Sequence, residues 1–150
     1  KNGWINFRMR AMIMSFASYN MWQPWQKTSP LLAELFTDYE PGIHISQVQM
    51  QSGVTGINLP RIYSVPKQSM DQDINAEWTK KLLPQLDNFD PKLIHNAELD
   101  GLYIPKIVDL KASAKFARDK IWGIRKSKEF KDEARKVYLK HGSRRKRNIN

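Results

Sequence analysis

A chain of 150 residues suits one domain and is long enough to bury a sizeable core. It holds no cysteine, which excludes disulfides, thiolate metal sites and cysteine nucleophiles and fits a reducing, cytoplasmic setting. The formal charge of +10 is lopsided: residues 106–150 carry 16 Lys and Arg against 5 Asp and Glu, and the remainder carries 9 against 10. Such a basic end has two readings, a contact for nucleic acid or a solvated amphipathic helix with a frayed tail. No apolar run approaches a membrane span and no signal pattern opens the chain, so no membrane partner is expected. The chain opens at Lys1 directly in motif-like sequence, from which we expect a fragment or a processed form.

In chain order, Trp4, Phe7, Met9 (or Ala11), Met14, Ala17 and Met21 recur at helical spacing and predict an amphipathic helix over 4–22, stopped by Pro24. Thr28-Ser29-Pro30 supplies an N-cap with proline at the first helical position, predicting a helix from there to Phe36. Pro41-Gly42 marks a turn. Residues 44–52 are ambiguous, since Ile45, Gln47, Gln49 and Gln51 alternate as in a strand. The stretch from Leu59 to Val65 is expected to be irregular, with a short turn after Pro66 and a helix near 75–83 ended by Pro84. Residues 85–108 are expected to be extended loop with one helical turn. Residues 111–126 predict a basic helix with Ala114, Ala117, Ile121 and Ile124 on one face. Ser127 caps a last helix that turns Phe130, Ala134, Val137 and Tyr138 inward and ends at Gly142, before the charge run Arg144–Arg147, expected to be disordered. The class is all-α. Trp22, Trp78 and Trp122 are read as core packing.

Asp38-Tyr39-Glu40-Pro41-Gly42-Ile43-His44, followed by the glutamine-rich Ser46–Gln51, is poor material for a generic helical core. Arg8 and Arg10 lie two apart on a helix and so point to different faces. An inward guanidinium requires a carboxylate, for which Asp38 is the natural candidate. Glu40 offers an acceptor for a buried ring N–H. Standing alone, the acidic pair fits an exposed loop and His44 a structural histidine. No His, Cys and carboxylate spacing suggests a metal.

This segment, with Gly3–Arg10 upstream and Arg61-Ile62-Tyr63 downstream at the matching distances, resembles the photolyase/cryptochrome family. The likeness continues through Asp71-Gln72-Asp73, Leu82-Leu83-Pro84-Gln85-Leu86 and Tyr103-Ile104-Pro105. It implies the C-terminal half of the family's helical FAD-binding domain over residues 1–142, with long irregular loops and a basic disordered tail at 143–150. It also favours helix at 44–52. The cofactor so implied is FAD, held by Arg10 paired with Asp38, and by Tyr39, Glu40 and His44. The family has aspartate at the place of Glu40 and asparagine at that of His44. Trp25 matches the middle member of an electron-transfer tryptophan chain whose proximal member is missing near Val48, and Trp4 matches a tryptophan lining the flavin and substrate pocket.

Damaged DNA is the implied partner, with Arg8, Arg61, Lys67 and Gln68 at phosphate-holding positions. Phe7 and Met50 stand where relatives carry substrate-contacting residues. In the whole enzyme, reduced FAD absorbs blue light and passes an electron to a pyrimidine dimer, which splits and returns it. The resemblance therefore implies a piece of a deoxyribodipyrimidine photolyase, inactive alone and completed by an N-terminal half, for which a separate chain is one source. Two alternatives stay open: a cryptochrome-type photoreceptor and a flavin-free basic module that binds nucleic acid.

Overall fold

The computed structural model describes residues 3–55 and 58–142, all helix and loop with no strand among them. The basic run at 144–147 lies outside the described residues. Among the described residues eight α-helices follow in order: α1 (Phe7–Ser15), α2 (Trp25–Leu35), α3 (Pro41–Gln51), α4 (Val65–Gln72), α5 (Glu77–Leu82), α6 (Pro91–Asn96), α7 (Leu110–Lys126) and α8 (Lys128–His141). α3 packs on both α1 and α2, α4 on α6, and α7 on α8 and on the turn after α1.

The long first helix predicted over 4–22 is shorter. Asn6 starts α1 by accepting from the Met9 amide, and Trp4 stays in the extended lead-in. After Ser15 the backbone widens into a π-helical turn, Phe16–Asn20, in which the Met21 amide bonds to the Phe16 carbonyl. The extra residue rotates the helix face. Ser18, Tyr19 and Asn20 are consequently buried side by side, while Met21, assigned inward by a 3.6-residue period, is exposed. The Asn20 amide then reaches α7, donating to Ser113 Oγ at 2.9 Å.

α2 also departs from expectation. It begins at Trp25, straight after Pro24, and carries Pro30 in its interior. Thr28-Ser29-Pro30 has the form of a start signal, but Ser29 is buried and its polar atoms serve His44 instead of capping. Pro41-Gly42 is likewise the first turn of α3, not a separate bend: Glu40 caps it and proline occupies the position where its missing N–H costs nothing. Residues 44–51 are helical. Gly53 ends α3 at φ +76°, where a Cβ would stand 2.7 Å from Tyr19 Oη, so glycine is required twice over.

The second layer turns on His95. Its ring bridges Ser69 Oγ on α4 (2.7 Å) and the Ile74 carbonyl (3.1 Å), with Asp73 close enough for the two to interact electrostatically. Asp73 accepts from the Trp78 and Thr79 amides and from Thr79 Oγ1, fixing the start of α5. Burial works against its charge, but these bonds outweigh it and hold the carboxyl below its ordinary range.

α7 and α8 stand as expected, started by Asp109 and Ser127. Their inward faces are thinner than the pattern implied. Ala117 is fully buried, yet Ile124 is 61% exposed and α8 buries no residue completely. Trp22, Trp78 and Trp122 are also surface residues, at 45%, 61% and 40% exposure, so the core-packing reading of the three fails. Trp22 lies edge-on to Phe116 and Trp122 lies near Arg125, partners that cover one edge of a ring and leave the rest in water.

Candidate functional site

α1, α3 and the connection between α2 and α3 enclose a cleft of about 370 Å³. Arg10 lies across its wall: Nε donates to the Ile5 carbonyl (2.7 Å), Nη2 to Asp38 Oδ1 (2.7 Å), and the guanidinium stacks 4.4 Å from the Phe36 ring centre. Arg10 is thus fixed by the bend before α1, by the acid before α3 and by an aromatic face. The hydrogen bond from Arg10, with its charge, holds the Asp38 carboxyl below its usual range. The opposed faces expected of Arg8 and Arg10 are observed, since Arg8 turns to the other side of α1.

Glu40 is engaged differently from the ring acceptor sought in the sequence. Oε1 accepts from the Gly42 amide (3.0 Å) and Oε2 from the Ile43 amide (2.6 Å), so both oxygens cap α3 and only their remaining lone pairs are left for a further donor. His44 is buried between Phe36 and Tyr39, its Nε2 at 3.0 Å from the Ser29 carbonyl and 3.1 Å from Ser29 Oγ. Nε2 donates to that carbonyl, tying α3 to α2. The ring still lines the cleft, as does Tyr39.

Trp4 and Phe7 also line the cleft while 68% and 56% exposed, an aromatic rim open to solvent. Gln47, which the sequence reading passed over, lines it too, and its Oε1 is buried without a hydrogen-bond partner. A desolvated, unpaired acceptor is costly, so a ligand N–H or O–H there would remove a penalty. The only signal was its place one turn after His44 on α3, obscured by the strand-like alternation.

The remaining predicted residues divide. Arg8 and Gln68 meet across a second, larger cleft of about 550 Å³ between α1 and α4, with Met9, Met12, Phe16 and Trp78 around them. Arg61 is exposed in the loop, its carbonyl held by buried Ser15 (3.0 Å). Lys67 is paired with Asp71 one turn on (2.9 Å). Met50 and Trp25 line neither cleft, so Trp25 is not brought to the Arg10–Asp38 wall. Of the six DNA candidates, Phe7 lines the first cleft and Arg8 and Gln68 the second, while Met50, Arg61 and Lys67 line neither. Among the described residues, no group of His, Cys, Asp and Glu could hold a metal, and no helix is long and apolar enough to cross a membrane.

A model of the FAD binding domain of DNA photolyase matches residues 1–123, which include both clefts. The chain belongs to that family. A deoxyribodipyrimidine photo-lyase of Buchnera aphidicola subsp. Baizongia pistaciae (strain Bp) is 30% identical over 96 residues, 63% of this chain and 20% of the relative. The crystal structure of an archaeal photolyase from Sulfolobus tokodaii, solved with two FAD molecules, superposes with a TM-score of 0.71 at 21% identity. It covers 81% of this chain and 29% of that one. The chain thus spans about a fifth of the length of its curated relative. The all-α photolyase FAD-binding fold and FAD as the family cofactor follow from these matches.

Proposed function

We propose that this photolyase-family chain forms one wall of a flavin pocket in a light-driven deoxyribodipyrimidine photolyase, and that residues 1–142 are a part of that domain that does not repair DNA alone. The observation that carries the reading is the Arg10–Asp38 pair, set in a cleft with an aromatic rim and an unpaired buried acceptor. These groups suit a flat heterocycle bearing N–H and C=O groups: aromatic faces at Trp4 and Tyr39, a carboxylate at Asp38, an acceptor at Gln47 Oε1 and a fixed cation at Arg10.

FAD, when bound, supplies the light absorption and the electron. The chain's own part is to orient the ring and exclude water from one side of it. Asp38, held ionised by Arg10, accepts a ring N–H without being neutralised on contact. Glu40 keeps α3 started at the rim, and His44 locks α3 to α2 so that Gln47 faces the cleft. On the far side of α1, Arg8 and Gln68, together with Arg61 of the loop before α4 and Lys67 of α4, hold phosphates of damaged DNA through long polar side chains. Trp25 remains a proposed relay for electrons.

A cryptochrome-type receptor is the second reading. It is favoured by Met50, which lines neither cleft at a position where relatives contact substrate. The test is the visible spectrum of the purified chain after incubation with FAD and removal of free cofactor, repeated with Asp38→Asn and Gln47→Leu. Retained flavin in the parent, lowered at least tenfold in both variants, supports the pocket. A colourless parent protein that also fails to quench flavin fluorescence rejects it. Preference for dimer-containing over undamaged DNA separates repair from signalling.

A further inference from the structure

We propose that the outward face of α7 docks the phosphate backbone of undamaged duplex DNA, as a second contact independent of the flavin cleft. Lys111, Lys115, Arg118, Trp122 and Lys126 follow one another at helical spacing and fall within about 80° around the axis at 3.6 residues per turn. All five are exposed. None of the four cations is in an ion pair among the described residues. One carboxylate, Asp119, flanks the row and is also exposed and unpaired there.

The opposite side of α7 holds the helix's contacts with the rest of the protein. Ala117 is fully buried, and Leu110 and Ser113 meet Asn20 of the π-turn. The helix is therefore fixed with its cations outward. Arg125, by contrast, is turned in: it reaches toward the Asn58 carbonyl at 3.4 Å and stacks 4.8 Å from Phe130, so it is not counted in the row.

From Lys111 to Lys126 the row runs about 22 Å at 1.5 Å per residue. Over that distance one strand of a duplex presents about six phosphates. Four free cations on a rigid helix match such a line of charge, and Trp122 adds a flat apolar surface for a sugar or base edge. A lipid surface fits less well: Ala117 and Ser113 on the other side of α7 pack against the protein, which leaves the exposed Ile124 without a continuous apolar face to enter a bilayer. No residue of α7 lines either cleft, so this contact needs neither FAD nor a lesion.

The test is fluorescence anisotropy of the full chain with an undamaged, labelled duplex across a salt series. It compares the parent, K111Q/K115Q/R118Q, and R144Q/R145Q/K146Q/R147Q, with circular dichroism on each. With three phosphate contacts removed, the slope of log K against log salt is expected to fall by about 2.7, a salt sensitivity of about 40-fold between 50 and 200 mM. The flavin retained by the triple variant is expected to equal that of the parent. Should the triple variant lose helicity, K115Q alone carries the test with an expected slope change of about 0.9. An unchanged slope in folded variants, a loss confined to the tail variant, or a loss seen on phosphatidylserine vesicles and not on DNA would each overturn the proposal.

Discussion

In and around the cleft, Arg10 and Asp38 meet across 28 residues of sequence and His44 finds Ser29 across 15; behind it, at the end of α1, Ser15 finds Arg61 across 46. In the α7–α8 arm each helix is started by the residue just before it. Asp109 accepts from the Lys111 and Ala112 amides, and Ser127 accepts from the Phe130 amide. The cleft is a tertiary object whose parts have no local reason to be where they are. The arm is largely local, held by caps and by one small buried face. Damage should therefore spread through the first and stay contained in the second.

The largest effect is expected from Met14→Ala. Met14 is 2% exposed, lines the cleft and receives Thr28 Oγ1 on its sulfur, so truncation leaves a cavity between α1 and α2. Urea unfolding should show a loss of about 2–5 kcal/mol, with flavin retention lost alongside. Unchanged retention would mean that the cleft does not depend on the α1–α2 packing.

His44→Leu removes the tie to Ser29 and leaves that residue's buried hydroxyl without its histidine partner. The expected cost is about 1–3 kcal/mol in urea unfolding, with the duplex affinity of the α7 row unchanged. A parallel fall in duplex binding would contradict the separation of the two regions. Ser127→Ala should cost about 1 kcal/mol and fray α8, seen as faster amide exchange at Phe130 and Lys131, while flavin retention holds.

The smallest effect is one of pH. The hydrogen bond from Arg10 lowers the Asp38 pKa, so the pair's contribution is fully present above the unfolded carboxylate value of about 3.9 and is lost as pH falls through the lower folded one. An NMR titration should find the Asp38 midpoint below the ordinary carboxylate value. In Arg10→Gln its midpoint should move up toward the ordinary value, and an unmoved midpoint would assign the depression to other groups.

The helical class, the caps at Ser127 and Gly142, the basic α7 and the Arg10–Asp38 pair were legible in residue spacing and chemistry, the last with help from the family resemblance. What misled was local signal overridden by packing. The start pattern at Ser29-Pro30 failed because Trp25 had already launched α2 and Ser29 was needed against His44. The period through Met21 failed because the π-turn inserts a residue, which no hydrophobic spacing announces. Tyr19 shows the consequence: it is buried to 1% exposure, and burial, opposed by nearby Arg125, pushes its hydroxyl up to about 12.

By itself the sequence determined which segments are helical, where most of them stop, where the positive charge lies and which acid Arg10 needs, because these depend on neighbours within a turn or on charge pairing. The tertiary structure decided which face each helix hides, that Glu40 serves as a cap, that Gln47 Oε1 is left buried and unpaired, and that Phe7 lines one cleft while Arg8 and Gln68 line another. Those outcomes depend on which surfaces meet, and burial is a property of the assembled layers that no single helix carries.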